Sequence, residues 1–437
     1  MSLLRRGLEA LRHPVSQNAL ALHLVQLGNL VVPLVTLPYI SRVLGSNGFG
    51  LVAFSQSLSF LLGVVIGWGF DQWASREAAV KRDDPSGLSA LTAQIVGARL
   101  MLSAVALLIA AAVYLTSNTT RGSPEFIAMA WLAAVATGFT PLWFFLGVER
   151  LRMPSWVALG VRVVAAALTF VLVQNSGDAW IVMALFTGSA VVGALITTGM
   201  LFRRVDLQRP TVRPALSAIR AGAALFAGIA GLSLYTAMNV VLLGFLGTRA
   251  EVAHFSAAER VIRAAIQLLQ PITTAAYPRI TFLESSGNLR RGLRLLLIGA
   301  GLVLSIALIG AALMFVLAPL IIRLVYGAQF ADAAGVLRVM SALLPITTMS
   351  YAAGIWLMVK RQDARIMKIT LVGGILNVAL APLLVHLAGI DGMAVSVVCA
   401  EFAVLAMAVT FAIRGGLLPA RGREAGESGA EVVGERT

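Results

Sequence analysis

The sequence predicts an all-α membrane protein of about twelve transmembrane helices in two six-helix bundles, with both termini cytoplasmic. Three observations predict it. Of 437 residues, 59% are hydrophobic and only 12% charged, against about 45–50% and about 25% in ordinary soluble proteins. The apolar residues fall in runs of about 20, the length that crosses a bilayer core. Basic residues also alternate in density from one connection to the next. A cytoplasmic N-terminus assigns 23 of the 34 Lys and Arg to inner segments and 4 to outer ones, with the other seven, Arg99 and Arg162 among them, inside spans. That is the positive-inside pattern. The same composition excludes a soluble enzyme, a disulfide scaffold and a disordered chain. It also gives the net charge of +14 a membrane explanation, with no nucleic acid among the expected partners.

Residues 1–16 read as a cytoplasmic amphipathic segment, because the basic start MSLLRRGLEALRHPV precedes a long apolar run with no small-residue cleavage site. The spans are expected at 17–40, 50–70, 92–115, 125–147, 155–174 and 179–202, forming an N-terminal bundle over 17–202. A basic linker, 203–220, carries five arginines and two prolines suited to anionic head groups. A C-terminal bundle over 221–413 holds spans at 221–246, 252–276, 293–318, 335–358, 366–387 and 391–413, and 414–437 is a Gly-, Glu- and Arg-rich disordered tail. Connections such as SNTTRGSP, QNSGD and LESSGNLRRG are too short to hold a folded domain.

Short strings recur at nearly one offset. Leu44-Gly45 with Phe54-Ser55 matches Leu246-Gly247 with Phe255-Ser256, about 201 residues on; Gly147-Val148-Glu149-Arg150 matches Met358-Val359-Lys360-Arg361, about 211 on. With six spans per half, both halves run the same way through the membrane, as in parallel transporter repeats.

The eighth span carries the chemistry. Ser256, Arg260, Arg263, Gln267, Gln270 and Thr274 follow a 4, 3, 4, 3, 4 spacing, which places them within an arc of about 80° on one helical face. Such a stripe requires either interhelical partners or water. Arg260 paired to Glu259 or a neighbour satisfies the first; two arginines one turn apart without equal acids favour a cationic cavity wall, suited to phosphate oxygens. Span one has a lesser stripe, His23, Gln26, Asn29, Pro33 and Thr36. Pro33 and Pro38 predict a kink that is either static or part of a gate. Gln56, Ser59 and Asn239 add single polar groups. Glu401 is the one carboxylate near mid-span, open to a role as ion-coupling site or as structural partner of an arginine. Arg99 and Arg162, about two turns inside spans three and five, have side chains long enough to snorkel. Trp68, Trp73, Trp143, Trp156, Trp180 and Trp356 fall near span ends, where an aromatic belt belongs.

No nucleotide loop, paired-Cys spacing or HExxH occurs, so neither cofactor nor metal is expected, and Cys399 has no intrachain partner. Some strings carry a family likeness. Leu37-Pro38-Tyr39-Ile40-Ser41-Arg42-Val43-Leu44-Gly45 with Gly48-Phe49-Gly50, Gly69-Phe70-Asp71 with Ala74-Ser75-Arg76-Glu77-Ala78-Ala79 and Arg82-Asp83-Asp84, and Phe255-Ser256-Ala257-Ala258-Glu259-Arg260 with Tyr277-Pro278-Arg279 resemble Wzx-type polysaccharide repeat-unit flippases. These belong to a superfamily with lipid II flippases and multidrug–cation antiporters. The resemblance implies alternating access in a bacterial inner membrane. It implies a substrate of oligosaccharide on undecaprenyl pyrophosphate, membrane lipids around it, and a polysaccharide polymerase complex as a further partner. Arg260 matches the cavity arginine on the eighth helix of lipid II flippases. Where those proteins carry basic residues in helices one and two, this chain has Gln26, Asn29 and Ser55, and it has twelve spans rather than fourteen. On this reading Arg260 and Arg263 hold the pyrophosphate while Gln267, Gln270, Gln26 and Asn29 bond the sugars. A multidrug–cation antiporter would want acids in place of the cationic stripe, and a membrane-embedded glycan transferase would want an acid or base at a leaflet surface.

Overall fold

The computed structural model describes residues 14–206, 208–274 and 276–414, with the side chains of 14–27, 29–30, 271–274 and 289 outside that description. The amphipathic segment and the tail expected at the two ends lie outside it, apart from residues 14–16 and 414. Among the described residues there is no strand. The helices are α1 (Pro14–Gly67), α2 (Phe70–Val80), α3 (Pro85–Thr116), α4 (Pro124–Phe139), α5 (Leu142–Gly147), α6 (Arg152–Leu172), α7 (Ala179–Phe202), α8 (Val212–Thr236), α9 (Met238–Leu246), α10 (Arg249–Thr274), α11 (Tyr277–Ser285), α12 (Leu289–Val325), α13 (Ala333–Met340), α14 (Leu343–Val359) and α15 (Asp363–Arg414).

Nine described stretches are long and apolar enough to cross a membrane. Two of them cross twice: α1 breaks at Gly45 and α15 at Ala388 and Gly389. The charged α10 completes a set of twelve. Gly45 adopts φ 69° and Gly389 φ 58°, positive values that glycine reaches without a Cβ clash and that let each helix break within one or two residues. Spans four, seven and ten are each built of two helices: α4 and α5, α8 and α9, α13 and α14. Pro141 explains the first interruption, since the residue before a proline is driven out of the helical region. At Pro33 and Pro38, where a kink is expected, the backbone stays helical; the Thr36 hydroxyl donates to Val32 O at 3.0 Å and that of Ser41 to Pro38 O at 3.2 Å. Span seven is interrupted at Ala237.

Helices also extend beyond the apolar runs at the end of the molecule where both described termini lie, here the terminal face. Span three starts at Pro85, with Asp84 as N-cap accepting from Gly87 N at 3.0 Å. That bond and the Ser86 hydroxyl hold the exposed Asp84 carboxyl below its ordinary range.

The first six spans pack on one another, as do the last six, and the repeat is visible in the backbone. Glu149 closes span four at φ 55° and Arg361 closes span ten at φ 54°, within one residue of the offset between the recurring strings. The halves meet unevenly. Near the opposite, distal face they share one core containing Phe49, Phe54, Phe255, Tyr326 and Phe330. Toward the terminal face that core divides. Phe70, Trp143 and Phe144 pack with the start of α8, while Ile280, Trp356 and Leu357 form a separate cluster.

Two expectations are corrected here. Trp143 and Trp356 are 1% and 0% exposed, so they are core residues; only position along the span suggested a belt. Trp156 and Trp180 are exposed. Arg99 does not snorkel: it is buried, donates to Asp71 Oδ1 at 3.2 Å and Thr140 O at 3.3 Å, and ties α2 to spans three and four.

Candidate functional site: a cleft along the eighth span

Helix α10 stands at the seam between the halves, and its polar stripe is divided by that placement. Three residues turn a helix through 300°, so Arg260 and Arg263 point about 60° apart. Arg260 reaches the first half, donating to Gln56 Oε1 at 2.9 Å, with its guanidinium carbon 5.3 Å from the Phe49 ring centre. Arg263 turns into the second half, where it bonds Glu259 Oε1 through Nη2 at 2.6 Å and Nε at 3.1 Å. Its Nη2 also donates to Thr236 O, a carbonyl at the break in span seven. Glu259 therefore serves Arg263, one turn along, where the sequence offered it to Arg260. Ser256 is buried, and its hydroxyl has no hydrogen-bond partner among the described residues.

Behind the ion pair lies a buried relay. Asn239 Nδ2 donates to Glu259 Oε1 at 3.3 Å, Asn377 Nδ2 to Asn239 Oδ1 at 2.6 Å, and Ser396 Oγ to Asn377 Oδ1 at 3.0 Å. Spans seven, eight, eleven and twelve are joined this way. The low dielectric of the surroundings strengthens each satisfied bond and raises the cost of breaking one.

In front of it is a cavity of about 180 Å³ between spans seven, eight, ten and twelve, lined by Arg263, Gln267, Gln270, Glu401, Thr347 and Tyr351 among others. Gln267 and Gln270 are exposed, and Glu401 is 6% exposed with Thr347 bonded to it. The structure thus brings Arg263, Gln267, Gln270 and Glu401 to one cavity and sets Arg260 beside it at the seam. The side chains of Gln26 and Asn29 lie outside the described residues. Asn377, Ser396, Thr347 and Tyr351 escaped the sequence reading. Among the described residues, no group of His, Cys, Asp and Glu is arranged to hold a metal ion.

The distal face is closed across the halves. Arg42 Nη2 donates to Leu324 O at 2.6 Å, Gln329 Nε2 to Ser41 O at 2.7 Å, and Arg249 Nε to Thr119 O at 2.7 Å. A side chain at Gly50 would fall on the carbonyl oxygen of Arg249. We predict that Gly50→Ala prevents this approach, with about 1–3 kcal/mol of overpacking cost. The apparent melting midpoint in detergent is expected to fall by several degrees at unchanged membrane abundance.

Residues 15–284 match the family model described as "Polysaccharide biosynthesis protein". The chain is 27% identical over 410 residues to a protein of Escherichia coli (strain K12) described as a "Putative O-antigen transporter", covering 90% of this chain and 96% of that one. Two solved structures share the fold at TM-score 0.67. An inward-facing multidrug resistance MATE transporter is 15% identical, covering 90% of this chain and 100% of that chain; the lipid II flippase MurJ, inward closed, is 13% identical, covering 91% and 87%. With the family match spanning more than half of its length, this multi-pass membrane protein belongs to the polysaccharide biosynthesis protein family.

Proposed function

We propose that the protein is a flippase that moves undecaprenyl-pyrophosphate-linked oligosaccharide repeat units from the cytoplasmic to the periplasmic leaflet of the bacterial inner membrane. The observation that carries this reading is the position of Arg260 and Arg263. They lie one turn apart at the seam of the halves, with exposed Gln267 and Gln270 continuing toward the face where the core divides. A diphosphate is the ligand that best repays such a pair, because guanidinium groups bind its oxygens through short, charge-assisted bonds. The density of Lys and Arg supports placing the terminal face in the cytoplasm, and the split core there supports entry from that side.

Arg260, whose partner is a neutral amide, exchanges Gln56 for phosphate. Arg263, already charge-compensated by Glu259, contributes a second donor without adding a full unpaired charge. Gln267 and Gln270, together with Gln26 and Asn29 of span one, bond sugar hydroxyls, and the prenyl tail stays in lipid. The bonds at the distal face then part as the halves rock, with span one and its Pro33 and Pro38 moving as a gate; a polysaccharide polymerase complex receives the product. Cells deprived of the protein are expected to accumulate lipid-linked repeat units on the cytoplasmic leaflet, read by their inaccessibility to external glycan-modifying enzymes. Normal access in such cells contradicts the proposal.

Glu401 is the candidate ion-coupling group, since it is a carboxylate on the cavity wall beside Arg263. Glu401→Gln is expected to export at a rate that no longer follows the imposed proton gradient, with membrane abundance preserved. Retained gradient dependence in vesicles makes Glu401 structural.

A further inference from the structure

We infer that Arg162, on span five, is a third anion contact of the cleft, supplied by the N-terminal half to the phosphate oxygens of the lipid carrier. The anion's identity rests on the flippase reading above; the placement of the side chain does not. Arg162 is exposed and, among the described residues, takes part in no hydrogen bond or ion pair. A charged group exposed at membrane depth faces either acyl chains or water, and the geometry of α6 decides between them. Ser155 and Thr169 lie seven residues before and after Arg162, within about 20° of it on the helix, and they are 7% and 5% exposed. Met153 and Val171, nine residues away, point about 180° from it and are 64% and 63% exposed. The lipid-facing side of α6 is thus opposite Arg162, which opens to solvent from the middle of the packed face. Leu159, one turn before it, meets span one at Gly28. The space that Arg162 enters is therefore internal, beside span one.

Depth gives the second argument. Arg162 is ten residues from Arg152, where α6 begins at the terminal face, and Arg263 is eleven residues from Thr274, where α10 ends there. At about 1.5 Å per residue both lie about 15–16 Å inside that face. Each half thus brings a guanidinium to the same level. Glu259 already compensates Arg263, so Arg162 carries the unbalanced charge at this level among the described residues, and an anion held there neutralises it as the halves close. A diphosphate, with oxygens enough for several donors, fits this requirement.

The test uses the full chain in a Cys399→Ser background, which removes the single cysteine. In inverted vesicles, Arg162→Cys is expected to react with a charged, membrane-impermeant methanethiosulfonate, and added undecaprenyl pyrophosphate is expected to slow the reaction several-fold. Labelling only by a lipid-soluble maleimide overturns the internal placement. With purified protein, Arg162→Gln is expected to bind undecaprenyl pyrophosphate about tenfold more weakly than wild type, and Arg162→Lys less weakly so. Unchanged affinity in Arg162→Gln overturns the anion role and leaves the flippase reading standing. Failure of the wild type to bind the prenyl pyrophosphate sinks that reading instead, with the labelling result intact. Phosphatidylglycerol and free pyrophosphate are run alongside. Equal competition by phosphatidylglycerol assigns Arg162 to phospholipid head groups and overturns its assignment to the carrier, whereas competition by free pyrophosphate is the expected result.

Discussion

Replacing Arg263 by alanine is expected to destabilise the C-terminal half by about 2–4 kcal/mol, because it leaves the Glu259 carboxylate buried without its cation. Glu259 is 6% exposed and its oxygen Oε1 receives both Arg263 nitrogens and Asn239. An apparent melting midpoint in detergent should fall by about 5 °C or more. The second change that identifies the cause is Glu259→Gln, which removes the stranded charge while keeping an oxygen for Asn239. In the double variant the midpoint should recover most of the loss. If Arg263→Ala melts like wild type, the ion pair is not holding span eight to its neighbours. If the double variant is no better than the single, the loss comes from packing rather than charge.

Arg260→Ala should behave in the opposite way. Its protein partner is the Gln56 amide, so removal strands no carboxylate and the midpoint should move little. Transport, in contrast, loses a charge-assisted contact to phosphate worth about 1.5–3 kcal/mol, which is about a 10–100-fold drop in export at equal abundance. Arg260→Lys keeps the charge but loses the fork geometry, and is expected to fall between the two. Surface glycan at wild-type levels in Arg260→Ala would remove Arg260 from the substrate path. The contrast between the neighbouring arginines is the informative result: one is read by melting temperature, the other by flux.

How much of this was legible in the sequence follows from the range of the interactions concerned. Spans are written locally, in runs of apolar residues, so their number and order could be read directly; the reversals at Gly45 and Gly389 could not be told from ordinary glycines until their backbone angles were known. The stripe on span eight was also local, and its periodicity correctly grouped Gln267 and Gln270 with Arg263. It could not show that the helix stands at a seam, where 60° sends Arg260 to one half and Arg263 to the other. Asn377 and Ser396 illustrate the harder case. Each is a lone polar residue in an apolar span, and only the packing of span eleven against span seven, 138 residues away from Asn239, makes them a relay. The isolated Asn377 within GGILNVAL was the available signal. Arg99 and Arg162 looked alike in sequence, each a lone arginine near the inner end of a span. The side of the helix that each occupies decides that one is a buried clamp on Asp71 and the other an open cation.

On this mechanism a lipid-linked glycan diphosphate crosses the bilayer through this cleft. Purified protein in sealed proteoliposomes, loaded with undecaprenyl-pyrophosphate-linked oligosaccharide bearing a quenchable fluorophore on the sugar, measures it directly. Wild-type protein is expected to make an initially protected fraction accessible to external quencher, Arg260→Ala to do so at least tenfold more slowly, and protein-free vesicles to do so no faster than the variant. Transfer by Arg260→Ala at the wild-type rate, or none by wild type under an imposed proton gradient, would contradict it.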